Sequence, residues 1–156
     1  DRLYINQAWR FMLSGGGLYN NLDYSFTAGQ ESGTWPIPAS NPGWGGPGFR
    51  KKLSLLAEAI NGVPFSQMEP SRHIFLDTQN ELVQHGLLKE GEIYLVFLEN
   101  YESISLIPRV PSGTYRCTWT HVGTGEQISE ELDLDGSVSI SPPFKEWEIA
   151  VKMEKL

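Results

Sequence analysis

The chain is short of the groups that build most sites. It has one cysteine, Cys117, in 156 residues, which excludes an intrachain disulfide and a thiolate metal centre. Its three histidines, His73, His85 and His121, are scattered without paired ligand spacing, so no metal site is expected. Basic residues are few: 12 Lys and Arg against 19 Asp and Glu give a net charge of −7. Phosphate binding needs a clustered basic patch. The only dense basic run, Arg50-Lys51-Lys52, sits at a helix start and reads as a solvated face; a nucleic-acid partner is not expected. No apolar run approaches the ~18 residues of a membrane span. There is no phosphate loop, dinucleotide fingerprint or Ser-His-Asp arrangement, so no cofactor is expected. Asp133-Leu134-Asp135-Gly136-Ser137 lacks the spacing and the closing Glu of a calcium loop and reads as a hairpin turn with Asp-Gly at its tip.

What the chain has is aromatic rings and backbone breakers. Five Trp, six Tyr and seven Phe accompany 16 Gly and 10 Pro, in a composition 40% hydrophobic and 20% charged. That is globular rather than disordered and suits a strand-rich fold with long structured loops. Over residues 3–13, Ile5, Ala8, Trp9, Met12 and Leu13 recur at helical spacing, and Gly15-Gly16-Gly17 ends that helix. Leu18, Tyr19 and Leu22 then suit a short buried strand with a polar cluster at its carboxyl end, the place where α/β barrels put substrate-binding residues. Residues 26–48 have no period. A stretch of this length is usually functional; Trp35 and Trp44 in it either form a binding wall or plug the loop onto the body. Phe49, Leu53, Leu56, Ala57 and Ile60 make the apolar face of a second helix over 49–61. Pro64 and Met68-Glu69-Pro70-Ser71 read as a linker, with a domain boundary near residue 70.

Beyond the boundary the period changes. Strands are expected at 73–76, 92–98, 103–107, 114–120, 127–132, 138–141 and 148–153, roughly ten residues apart with turn signals between them. This is the pattern of an antiparallel β-sandwich. The fold class is therefore α+β: a C-terminal antiparallel β-sandwich over 71–156, preceded by a helical segment over 1–70.

The remaining chemistry is carboxylate and amide chemistry around Asn20, Asn21, Asp23, Tyr24, Gln30 and Glu31. Glycoside hydrolysis needs two carboxyl groups flanking the bond, and Asp23 and Glu31 fit by type. The favoured reading is that Asp23 orients neighbours or bonds a sugar hydroxyl, while Glu31 belongs to the loop.

The run AWRFMLSGGGLYNNLDYSFTAGQESGT resembles the last helix-to-strand passage of bacterial apiosidase-like (β/α)8-barrel glycoside hydrolases. YLVFLENYESISLIPRVPSGTYRCTWTHVGTGE resembles the small C-terminal sandwich of that family, which carries the label of a collagen-binding domain. The resemblance implies that residues 1–70 end a barrel and that 71–156 form an accessory module. It implies a bacterial, secreted or periplasmic protein whose parent enzyme acts on a glycan. In related barrels the catalytic carboxylates end the fourth and seventh strands. The seventh would precede residue 1, so no catalytic residue is expected in this chain and the chain alone should be inactive. Asn21, Asp23 and Tyr24 match eighth-strand positions and would contact substrate, with Trp35 and Trp44 beside them. Barrel elements without neighbours have unpaired edges, which makes self-association an expectation. Two alternatives stay open: a carbohydrate-binding module stacking sugars on Trp35, Trp44 and Tyr101, or a protein-interaction domain.

Overall fold

The computed structural model describes residues 2–20, 22–38, 45–76, 82–99, 106–145 and 148–156. Among the described residues two helices, α1 (Arg2–Leu13) and α2 (Pro47–Asn61), precede eight strands and a 3-10 turn at Phe65–Gln67. The strands are β1 (Glu69–Ser71), β2 (Phe75–Leu76), β3 (Val83–Lys89), β4 (Ile93–Glu99), β5 (Ile107–Pro108), β6 (Gly113–His121), β7 (Gln127–Leu134) and β8 (Ile149–Lys155). Six of them form one sheet in the order β1-β3-β4-β8-β6-β7, and β2 pairs with β5 in a separate ladder. Every pairing is antiparallel. The fold is α+β with a sandwich-like sheet, as the sequence pattern predicts.

Alternation assigns the two faces. One carries Tyr94, Val96, Tyr115, Trp119, Val151 and Met153, which pack beneath Phe75, Leu106 and Ile140. Cys117 lies in this layer, fully buried, and burial pushes its thiol up to about 12. The opposite face presents Leu87, Leu95, Phe97 and Ala150 to the helices.

α1 docks there through two parallel stripes. Ile5, Ala8, Trp9 and Leu13 form the apolar one, and the Trp9 ring stacks on Phe97 with centroids 5.5 Å apart. Arg2, Asn6 and Arg10, spaced four apart on one helix face, form the polar one. The Arg10 guanidinium donates to both oxygens of buried Glu99, at 2.7 and 2.6 Å, and the Asn6 amide donates to the same carboxylate at 3.2 Å. Arg2 grips buried Glu148 in the same two-pronged way, its shortest bond 2.8 Å. Burial raises the Glu148 carboxyl, but bonds from Arg2 and Asn6 outweigh it and the pKa falls.

Several elements differ from the sequence expectation. Residues 18–20 and 22 form no strand, and Leu18 and Leu22 are 80% and 70% exposed. A strand exists through its neighbours' hydrogen bonds, and none of the described residues pairs with the segment as a strand. The expected linker at 68–71 contains β1, which pairs with β3 from Glu69↔Leu88 to Ser71↔Gly86. β3 itself carries no clear alternation and is not expected from sequence. Residues 138–141 contribute one bridge, Leu106↔Ile140, in place of a strand. The turn before them is therefore not a hairpin; Asp135 organises it by accepting from Ser137 N at 2.8 Å and Ser137 Oγ at 2.7 Å. Part of the strand expected at 103–107 lies outside the described residues. Among the described residues no helix is long and apolar enough to cross a membrane, and no cluster of three or more His, Cys, Asp or Glu could hold a metal.

Trp9→Ala removes a wholly buried ring and its stack on Phe97. It is expected to lower the unfolding free energy by about 3–5 kcal/mol, read as a shift of the urea midpoint. Cys117 should stay unreactive toward a thiol reagent in the folded chain and react only after denaturation; rapid labelling of the native protein would contradict its burial.

Candidate functional site

The polar segment after α1 is organised from both ends. α1 closes with Gly15 at φ 92°, a left-handed conformation that suits glycine at a helix end. Tyr19 folds back over the helix, its hydroxyl donating to the Tyr4 carbonyl at 3.1 Å and its ring tilted against Phe11.

Asp23 is the hub of the segment. Its Oδ1 accepts from Ser25 N at 2.9 Å, Ser25 Oγ at 2.5 Å and Gly46 N at 3.0 Å. Its Oδ2 accepts from the Arg50 guanidinium at 2.6 Å. Arg50 also donates to Ser25 Oγ at 3.1 Å and to the Gly33 carbonyl at 3.0 Å, and it lies 5.0 Å from the centre of the Phe26 ring. Trp35 N donates to the Ser25 carbonyl at 3.1 Å. The start and end of the 23–35 loop are thus tied to the first turn of α2 through one ion pair.

Helix electrostatics explain the arrangement. Gly46, the residue capping α2, has no side chain to accept its free N–H groups, and the first turn carries no acid. Arg50 so near the amino end opposes the helix dipole. Asp23 corrects both from a distance, accepting from Gly46 N and neutralising Arg50. The approach is close: a Cβ on Gly45 (φ 151°) would fall 1.8 Å from Asp23 Oδ1. Burial would raise the Asp23 carboxyl; bonds from Ser25, Arg50 and Gly46 overcome this and hold its pKa at about 2.

Of the residues expected in the site, Asp23 is half-buried at this hub, while Tyr24 and Trp35 are exposed, 42% and 46%. Asn21, Trp44 and Tyr101 lie outside the described residues. Glu31 closes its own turn by accepting from Gly29 N at 2.9 Å. Gln30 bridges to Thr27. Ser25 and Gly46 complete the hub and were not singled out by the sequence; Arg50, expected on a solvated face, is instead about one-third exposed and paired with Asp23. The one signal was the unfavourable position of Arg50 against the dipole, which asks for a distant acid.

Chemically, the hub is a clamp. A carboxylate tied to an arginine and held at a pKa of about 2 is ionised near neutral pH, so it has no proton to give and is a weak base. Beside its exposed polar groups the segment presents large apolar ones: Leu18, Leu22, Tyr24, Phe26 and Trp35 all stand exposed.

The folded pKa of Asp23 lies below its ordinary 3.8, so its stabilisation is complete above about pH 4 and is lost as pH falls toward 2. Arg50 is about one-third exposed, and after that screening the contribution is about 1–2 kcal/mol. Asp23→Asn should therefore flatten the acid limb of the stability curve between about pH 4 and 2. Gly45→Ala should release the loop at neutral pH, seen as faster amide exchange at Ser25 and Trp35; unchanged exchange would show that the clamp is not what orders the loop.

No family model matches the chain, and no curated protein matches it. Solved structures share its fold. A glycoside hydrolase family 5 protein from Bacteroides vulgatus ATCC 8482 superposes with a TM-score of 0.53 at 15% identity, over 70% of this chain and 25% of that one. A second structure, a glycoside hydrolase, gives a TM-score of 0.55 at 11% identity, over 76% of this chain and 30% of that one. The chain thus spans well under half the length of the structures it matches, and it shares the fold of that part of each.

Proposed function

We propose that the chain is the C-terminal part of a carbohydrate-active enzyme of the glycoside hydrolase kind, with the sheet serving as an accessory module and no catalysis by this chain alone. In this reading residues 1–70 complete a barrel of the apiosidase-like type and residues 71–156 form the module. The observation that carries it is an ionised carboxylate used as a structural tie beside a run of exposed apolar side chains. Asp23 is ionised and tied to Arg50, while Leu18, Leu22, Tyr24, Phe26 and Trp35 stand exposed before and within the loop that the pair closes. Exposed apolar groups of this kind suit an interaction surface, and the matching structures are three to four times longer than the region they share with this chain. The rest of a barrel is the partner proposed for that surface, with a second copy as the substitute when the barrel is missing. A glycan substrate and a bacterial secreted or periplasmic location complete the proposal.

A second reading is favoured by Trp35, whose indole is 46% exposed and free to stack on a sugar face. Tyr24 and Phe26 lie close to it in sequence on the same loop.

Chromogenic aryl glycosides should show no turnover above the blank with this chain. Robust hydrolysis that disappears in Asp23→Ala would overturn the proposal. The second reading predicts that oligosaccharides quench tryptophan emission and that Trp35→Ala removes most of the quenching.

A further inference from the structure

The helix-facing side of the sheet is only half covered. α1 lies over β3 and β4, whereas β8, β6 and β7 leave an open polar surface. There the register sets side chains opposite one another, and they bond in rungs: Thr114 to Asp133 at 2.7 Å, Thr118 to Ser129 at 2.9 Å, Gln127 to Thr120 at 3.2 Å. α2 runs along the margin of this surface. Its Leu55 packs against Gly125 in the β6–β7 turn, where an added Cβ would come within 3.0 Å of the leucine. A cleft of about 160 Å³ remains between helix and sheet.

The cleft has an apolar floor and a polar rim. Leu95 and Ala150, both 2% exposed, form the floor, and Ala59 and Gly62 at the end of α2 have too little bulk to fill it. Thr118, Thr120, Gln127 and Lys152 line the sheet side, and Glu58 lines the helix side. These groups keep hydrogen-bonding capacity. Each hydroxyl has one donor and two acceptor sites, and an amide keeps its carbonyl and a second N–H. The Lys152 ammonium has three donors and, among the described residues, one ionic partner, Glu154 at 3.5 Å. Glu58 has no ion pair among the described residues, so a carboxylate and an ammonium line one cleft without meeting.

Size and charge narrow the occupant. At ~30 Å³ per water the cleft holds roughly five waters, below the ~300 Å³ at which drug-sized ligand sites begin. Lys152 and Glu58 cancel, which favours a neutral guest over an anion. A pyranose ring has an apolar C–H face for the floor and a perimeter of hydroxyls, each donor and acceptor, for the rim. We propose that the cleft between α2 and the β6–β8 face receives one neutral pyranose unit, seated on Leu95 and Ala150 and held by Thr118, Gln127, Lys152 and Glu58. The proposal rests on the glycan reading of the chain and extends it to a site far in sequence from the exposed loop.

The test is an amide NMR titration of the full chain with methyl glycosides of glucose, galactose and xylose. Saturable shifts in the millimolar range are expected at Thr118, Thr120, Gln127 and Gly62. Ala59→Phe, at a partly exposed helix position, should block the cleft and abolish them. Lys152→Met should weaken binding about 10-fold or more, the loss of one charged hydrogen bond; the dispersed spectrum of each variant reports that it is folded. Absence of shifts around the cleft, or shifts that survive Ala59→Phe, would overturn the site. Shifts confined to Tyr24, Phe26 and Trp35 would overturn the cleft and leave the glycan reading standing.

Discussion

Two acids buried at neighbouring strand ends, Glu99 and Glu148, constrain everything on the helical side of the sheet. An ionised carboxylate taken out of water costs several kcal/mol unless it is paired. α1 supplies the partners from a single face, Arg10 and Asn6 to one acid and Arg2 to the other. Because both arginines are half exposed, water screens these pairs and they add little net stability. Their effect is on position. With two fixed points one helical stripe apart, α1 has a single axial register and a single rotation, and the apolar seat of Trp9 on Phe97 provides the stability.

The position of α1 in turn decides where the exposed segment starts. The chain leaves the helix at Ser14 and Gly15, and Ser14 Oγ lies 3.2 Å from Nδ1 of His85 on β3. Burial, with Arg72 and Arg10 nearby and against the pull of Glu99, lowers the pKa of that imidazole. The neutral ring therefore needs no counter-ion at this end of the sheet. From there Asp23 ties the loop to α2, and α2 packs back on the same sheet face through Phe49 and Leu56. Scaffold and loop form one chain of dependence running from β4 to Trp35.

Regular elements were legible where one period dominates. The stripe Ile5-Ala8-Trp9-Leu13 and the near-continuous apolar run of β4 announce themselves. β3 does not, because VQHGLLK places Gln84 and His85 at buried positions. The structure shows why these are tolerated. The Gln84 amide donates to the Phe75 carbonyl at 2.9 Å and accepts from Phe75 N at 2.8 Å, imitating the backbone of an adjacent strand. Such substitutions of side chain for backbone leave no periodic trace. The segment at Leu18 fails for the opposite reason: its apolar pattern is real, but a strand needs neighbours that local sequence cannot supply. Asp23 stood out by type, yet its role depends on Gly46 and Arg50, more than twenty residues away.

The outer strand β7 reads QISEELDL, and three of its eight residues are acidic. It closes the sheet on the side opposite β1, eight residues long, with its outer backbone groups unpaired in the sheet. A regular edge of that length is a template on which another chain can add. Two copies meeting there in antiparallel fashion would bring Glu130, Glu131 and Asp133 of each against those of the other. Like charges set opposite one another across such an edge disfavour that pairing.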